Sequence, residues 1–554
     1  MCATEFKTPI DRLRYWAKTS SDNTYLTQPI GAETFTYTWS QALDEVSRVA
    51  AYLSKYPPGS HIAIVSLNCA HWILADLAIQ MAGHVSIPIY PTASVDTMRK
   101  ILKHSEAKAV FIGKMFEPNE GLKSVTTAIG DAEIDLMAIY QSYPGMFDWQ
   151  TLVNENKPIN VAATHQPDDL MSIIYTSGTT GDPKGVMVPY RAVQASMSLV
   201  KSIIVIKPQD RFVSYLPLAH VAERMAVEFG ALFNGAHVSF IRSLETFSED
   251  VKTAAPTIFF GVPRIWTKIK SAIESKLGGP KVLGTLLRLP LLGGLLKKAL
   301  VKKLGFQHVR YALCAAAAVN KDVLEWFDQL GVKLNEAYGM SETCGLSHMT
   351  KQSDTKTGSV GRVIDGCECQ ISASGEVLLR NPAMMTGYYK QPELTAEVID
   401  SAGWLHTGDQ GRIDESGFLY ITGRVKDIFK TAKGKYIAPS PIEQKFQSAL
   451  GLEHMIVMGD GFTQPFLVIT TFETRFDDDI SALVALCEEH LAEINQSLEV
   501  QERISHVFIT EDLWGIENGM LTPTLKMKRP QIEQQYQGKA KELMSKHSSQ
   551  VIVL

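Results

Sequence analysis

Residues 170–190 read LMSIIYTSGTTGDPKGVMVPY, and the rest of the chain is organised around them. Met171 to Tyr175 is a short apolar run, Val186 to Val188 is a second, and Arg191 opens a helical pattern. The predicted order is strand, glycine-rich loop, strand. Thr176, Ser177, Thr179 and Thr180 offer hydroxyls, while Gly178, Gly181 and Gly185 let backbone N–H groups approach a ligand closely. Lys184 adds a positive charge. That set suits a polyphosphate, although its composition is equally that of a hydrophilic loop between two strands. The Walker pattern does not explain it, because Gly181 is followed by Asp182, Pro183 and Lys184 rather than by Lys and Ser or Thr.

At 554 residues the chain exceeds one ordinary core, so two or more domains are expected. A hydrophobic content of 45% and a charged content of 20% are those of a soluble globular enzyme. The net charge of −5 gives no case for general nucleic-acid binding. The 7 cysteines are scattered, which predicts free thiols in a reducing compartment. Cys367 and Cys369 form the one close pair, and no second pair or His cluster would complete a zinc site. The opening MCATEFKTPIDRLRYWAK lacks the apolar core of a secretory signal, and no run approaches the ~20 apolar residues of a membrane span. A cytoplasmic enzyme is expected, with allowance for peripheral contact at the membrane's inner face.

Upstream of the loop, Phe35 to Trp39 alternates like a strand, and Ser40 is placed to cap a helix over 41–56. His61 to Leu67 is a nearly continuous apolar run, as expected of a strand buried on both faces. A helix over 72–82, a strand over 85–89, a further helix and a strand over 109–112 follow. Strands alternating with helices predict an α/β domain with a largely parallel sheet. Further on, Arg211 to Leu216 reads as a strand ending in Pro217-Leu218-Ala219-His220, and His220 therefore sits where α/β ligand sites lie. Phe229, Phe233, Trp266 and the Phe259-Phe260 pair fit an alkyl tunnel or plain core equally well.

The full string at 175–185 closely resembles the phosphate loop of the adenylate-forming (AMP-binding) superfamily, which holds acyl-CoA synthetases, luciferases and peptide-synthetase adenylation domains. Other segments repeat the resemblance in the family's order. PLAHVAER is similar to the acyl-CoA synthetase motif lining the carboxylate end of the acyl pocket, which implies substrate positioning by His220. Cys314 and the alanines 315–318 stand where a Gly/Ala stretch packs on adenine, giving Ala316. LNEAYGMSET at 334–343 resembles the family's YGMSET motif. It implies that Tyr338 stacks on adenine beside Gly339, Thr343 bonds the α-phosphate, and Glu342 binds Mg²⁺ with help from Thr176. Asp409 of GWLHTGD and Arg424 of YITGR match the ribose contacts.

After Arg424, Val425-Lys426-Asp427 matches the hinge, with Lys426 at the pivot. KTAKGKYIAP resembles the loop that enters the site in the thioester-forming state, Gly434 leaving room for the pantetheine arm. LTPTLKMKR at 521–529 resembles the long-chain acyl-CoA synthetase signature, in which Lys526 is the catalytic lysine. Bringing a carboxylate to an α-phosphate needs preorganised positive charge. Lys528 and Arg529 read better as an exposed basic tail.

The resemblance implies an α/β fold. Residues 1–424 would form a large N-terminal domain of mixed β-sheets layered with helices, 425–427 the hinge, and 428–554 a small mobile α+β C-terminal lid. It implies a long-chain fatty acid–CoA ligase using ATP, Mg²⁺ and CoA, with no protein nucleophile. The rival readings are a fatty acyl-AMP ligase serving a carrier protein and a non-catalytic lipid-binding relative. Fatty acid, ATP and CoA are the expected partners, and a homodimer is allowed for. Residues 281–305 stand apart, with Lys281, Arg288, Lys297, Lys298, Lys302 and Lys303 among many leucines and no acidic residue. They read either as a basic segment lying in a membrane interface or as a surface helical pair with a solvated face, broken at Pro290 and Gly293-Gly294.

Overall fold

The computed structural model describes residues 6–554 apart from 160–161, 178–182, 278, 290–291, 453, 472–478, 523–525 and 548. Two compact units divide the chain: one of residues 1–368 and 379–405, the other of 369–378 and 406–554.

The first unit is built on three sheets. The largest has eight strands, in the order Gly387–Tyr388, Pro183–Pro189, Leu170–Ser177, Val85–Ile89, His61–Val65, Ala109–Ile112, Asp135–Ala138 and Phe147–Asp148. From Leu170–Ser177 to Phe147–Asp148 the pairing is parallel, and the first two strands join antiparallel. The apolar runs at 61–65 and 109–112 are buried because both faces of this sheet are covered. Ala70–Met81 lies on one face, with every residue but His71 buried. The other two sheets are Ile258–Gly261, Tyr311–Cys314, Leu334–Tyr338, His348–Met349, Arg362–Val363 and Arg211–Ser214, His237–Phe240, Thr24–Ile30, Glu33–Thr38.

One expectation is corrected here, and one left open is narrowed. The helix predicted from Gln41 runs over Trp39–Leu53, and its cap is Thr38, not Ser40. Thr38 and Gln41 bond each other's backbone reciprocally, an N-cap/N3 pair that outcompetes the nearby serine. The aromatic residues read as either tunnel or core are buried in core clusters. Phe259 and Trp266 stack edge to face with ring centroids 5.3 Å apart and pack on Phe306. Phe229, Phe233 and Phe260 belong to a different buried cluster.

The second unit holds most of the four-stranded sheet Glu368–Ile371, Glu376–Arg380, Leu405–Ile413, Leu419–Arg424. It also holds a sheet of Met455–Met458, Phe466–Thr470, Val507–Thr510 and Val551–Val553. One buried cluster joins this sheet to the helices Pro439–Leu450 and Ile480–Gln496. A second buries Ile532 and Tyr536 of the helix Arg529–Lys546.

Candidate active site

The opening stretch folds as an antiparallel hairpin of Leu170–Ser177 and Pro183–Pro189. Thr176 sits opposite Lys184, and Ser177 opposite Pro183, so the ends of the two strands are in register. Gly178, Thr179, Thr180 and Gly181 lie outside the described residues. Gly185 has a structural reason to lack a side chain. A Cβ there would come within 2.7 Å of Ile173 on the neighbouring strand.

The strand Gly387–Tyr388 continues this sheet edge, Tyr388 lying opposite Val186. Tyr388 is nearly buried, and its hydroxyl donates to Glu342 Oε1 at 2.7 Å. Burial, and then the Glu342 charge, push the phenol well above its ordinary range. Lys184 Nζ lies 5.5 Å from the centre of the Tyr388 ring. One tyrosine therefore connects the lysine of the hairpin to the carboxylate of the YGMSET segment. Sequence reasoning missed Tyr388. It lies in a stretch without periodicity, and its partner is 46 residues away.

Glu342 belongs to the 3₁₀ turn Ser341–Thr343. Its carboxylate is buried and forms no ion pair among the described residues. A buried, acceptor-only carboxylate with a neutral tyrosine as its neighbour fits a hard divalent cation. Thr343 is fully buried and closes the turn, with its hydroxyl donating to the Met340 carbonyl and accepting from the Met340 N–H. Gly339 is required by packing, since a Cβ would meet the Gly345 carbonyl oxygen at 2.4 Å. Tyr338 ends the strand Leu334–Tyr338, half-buried, its ring centroid 6.0 Å from that of His348. At the end of the adjacent strand, Ala316 adopts φ +75, and the alanines after it are exposed. Small side chains on an open strand end leave a shelf for a flat ligand.

PLAHVAER contains more than its histidine. His220 caps the short helix Val221–Glu223, with Nδ1 accepting from the Ala222 N–H at 3.1 Å. In the neutral ring this leaves the proton on Nε2. Glu223 is buried and accepts from Ser214 Oγ at 2.8 Å and the Tyr215 N–H at 3.1 Å. Burial raises its carboxyl to about 8. Arg224, wholly buried, donates to Asp76 at 2.7 Å, Glu228 at 3.1 Å and Ser172 Oγ at 2.8 Å. Burial and the Asp76 charge push the Glu228 carboxyl well above the usual carboxylate range. Arg224 opens a π-helical turn, Arg224–Phe229, a form that recurs at functional sites. Arg224 thus pins the PLAHVAER segment to the strand Leu170–Ser177.

In the second unit, Asp409 and Arg424 face each other across an antiparallel pair, with Arg424 Nε 2.8 Å from Asp409 Oδ1. The Asp409 N–H donates to Thr407 Oγ1. Lys426 is exposed in the 3₁₀ turn Val425–Asp427. Residues 430–436 form the turn of a small hairpin, Phe429–Lys430 with Tyr436–Ile437, in which Gly434 takes φ +78. Lys526 is exposed; its N–H donates to Thr522 Oγ1 at 3.0 Å and its carbonyl accepts from the Thr522 N–H. Arg529 corrects the expectation of a basic exposed tail. It is largely buried and donates to Glu443 at 2.6 Å and to the Val457 carbonyl at 2.8 Å, with Asp427 at 3.6 Å. Arg529 holds the start of the helix Arg529–Lys546 onto the core of its unit.

Residues 13–389 match the AMP-binding enzyme family, and residues 426–548 match the AMP-binding enzyme C-terminal domain. The chain belongs to the AMP-binding enzyme family, in its adenylate-forming acyl-CoA ligase group. Among its relatives, long chain acyl-CoA synthetase 7, peroxisomal, of Arabidopsis thaliana is 27% identical over 533 residues, covering 85% of this chain and 76% of that one. Long-chain-fatty-acid–CoA ligase 5 of Rattus norvegicus is 28% identical over 586 residues, covering 92% and 84%. The fold is shared with the A domain of carboxylic acid reductase from Segniliparus rugosus, solved with AMP and a co-purified carboxylic acid. The TM-score is 0.81 at 21% identity, covering 98% of this chain and 95% of that one. It is also shared with o-succinylbenzoate CoA synthetase from Bacillus subtilis in complex with the acyl-adenylate intermediate, with a TM-score of 0.73 at 21% identity, covering 95% and 98%. Enzymes of this family form adenylates, and their nucleotide is ATP. Among the described residues, no helix is long and apolar enough to cross a membrane.

Proposed function

We propose that the protein joins a long-chain fatty acid to CoA through an acyl-adenylate, releasing pyrophosphate and AMP. The observation that carries this reading is the Lys184–Tyr388–Glu342 connection, which joins a polyphosphate hairpin to a metal-competent carboxylate. The fatty carboxylate, already ionised at neutral pH, attacks the α-phosphorus, and pyrophosphate leaves. Lys184 and the hydroxyl and amide groups of 176–185 hold the β- and γ-phosphates. Thr343 and Lys526 meet the charge that develops on the α-phosphate. Glu342, with Thr176, would hold Mg²⁺, which when bound neutralises phosphate charge. Tyr338, Gly339 and Ala316 receive adenine, Asp409 and Arg424 the ribose, and His220 positions the acid.

In the second half-reaction the CoA thiol attacks the adenylate carbonyl, and AMP departs. Lys426 serves as the pivot of the hinge at 425–427, between domains at 1–424 and 428–554, and the loop around Gly434 serves this step. The long-chain assignment is supported by the names of relatives near 28% identity and by the LTPTLKMKR resemblance. Adenylation can also end on a carrier protein, a reading that the carboxylic acid reductase fold keeps open. Mass spectrometry of the product, with CoA present and absent and a series of fatty acids of increasing length, tests the proposal. A CoA thioester that forms best with the longer acids supports it. Release of free acyl-AMP regardless of CoA favours the carrier-dependent alternative.

A further inference from the structure

The helices Pro280–Arg288 and Leu292–Lys303 have no part in the roles above. Their inner side is anchored, with Leu283, Leu287 and Leu300 buried in the cluster of Trp266 and Phe306. A Cβ at Gly293 would meet the Leu287 carbonyl oxygen at 2.4 Å, so the two segments touch backbone to backbone there. The glycine pair lies inside the second helix, and the first ends at Arg288.

The outer side is apolar as well as basic. Val282, Leu286 and Leu289 are exposed to 48%, 37% and 40%, one stripe at i, i+4 and i+7. On the second helix Leu295 is 66% exposed. Lys298, Ala299 and Lys302 follow it at i+3, i+4 and i+7, all exposed, and Lys303 is exposed beside them. Between Glu274 and Asp322 the chain has no acidic residue. Other exposed helices of this protein pair their lysines at i,i+4, as in Lys100–Asp96, Lys321–Glu325 and Lys546–Glu542. Lys297, Lys298, Lys302 and Lys303 have no such partner among the described residues. A merely solvated helix needs neither exposed leucines nor uncompensated lysines.

We propose that this helix pair is a docking surface for an anionic lipid bilayer. Leu295 and the Val282–Leu286–Leu289 stripe enter the boundary of the acyl chains, and the lysines extend to the headgroups. A second copy fits worse, because a two-fold contact through this face would set lysines against lysines. The proposal is independent of the catalytic reading.

The test is co-sedimentation of the full chain with phosphatidylcholine vesicles, with and without phosphatidylglycerol. The wild type should sediment with the anionic vesicles alone and be released by salt. Each lysine near an anionic surface changes partitioning about fivefold. The triple variant Lys298→Gln, Lys302→Gln, Lys303→Gln should therefore bind ~100-fold more weakly. Leu295→Ser should weaken binding without changing the salt dependence. These side chains are exposed, so an unchanged melting temperature checks the fold. Sedimentation of the triple variant equal to wild type overturns the proposal. So does a wild type that ignores the vesicles, including one that instead self-associates or binds an acidic protein through these lysines.

Discussion

Tyr388 is the residue whose removal says most about the site. Tyr388→Phe keeps the ring beside Lys184 and deletes one hydrogen bond to a carboxylate, worth about 1.5–3 kcal/mol when an ion is involved. The expected result is a rise of roughly tenfold in the Mg²⁺ concentration needed for half-maximal ATP–pyrophosphate exchange, with the fatty-acid KM unchanged. An unaltered Mg²⁺ dependence would mean that the hydroxyl serves packing alone. Glu223 gives a second residue-scale prediction. Its carboxyl stands near 4.5 unperturbed and about 8 in the fold, so between those values the folded state keeps a proton that the unfolded chain has released. Stability from this group is full below the lower value and is lost as pH rises through the upper one. Glu223→Gln retains an oxygen acceptor for Ser214 and Tyr215 and cannot titrate. Its melting temperature should fall less than that of wild type between mildly acidic and mildly alkaline buffer.

At the scale of elements, Arg529 anchors the start of the helix that follows Lys526. Arg529→Ala leaves Glu443 as an uncompensated buried charge and should destabilise the second unit by about 3 kcal/mol. Hydrogen exchange in the helix Pro439–Leu450 should accelerate accordingly, while the first unit's eight-stranded sheet keeps its protection. What was legible in the sequence follows the same division. The strands at 61–65, 85–89 and 109–112 were readable because burial on both faces replaces alternation by a continuous apolar run. The Thr38–Gln41 cap was readable too, from the T-x-x-Q spacing, but Ser40 was the more obvious hydroxyl. Arg529 was not, because its partners lie 72 and 86 residues upstream and a cluster of basic residues looks solvated when read locally.

For the molecule as a whole, resemblance proposed the residues of the site, and the structure shows how the fold holds those of them that it describes. YGMSET, GWLHTGD and LTPTLKMKR could be found as strings. Supporting contacts could not, because Tyr388 and Arg224 act between distant segments: 46 residues separate Tyr388 from Glu342, and 148 separate Arg224 from Asp76. The proposed mechanism assigns Lys526 to adenylate formation and not to thioester formation. Lys526→Ala, assayed for both half-reactions, tests it most directly. Fatty acid-dependent ATP–pyrophosphate exchange should disappear while CoA thioester still forms from supplied acyl-AMP at close to the wild-type rate. Equal loss of both half-reactions would contradict it.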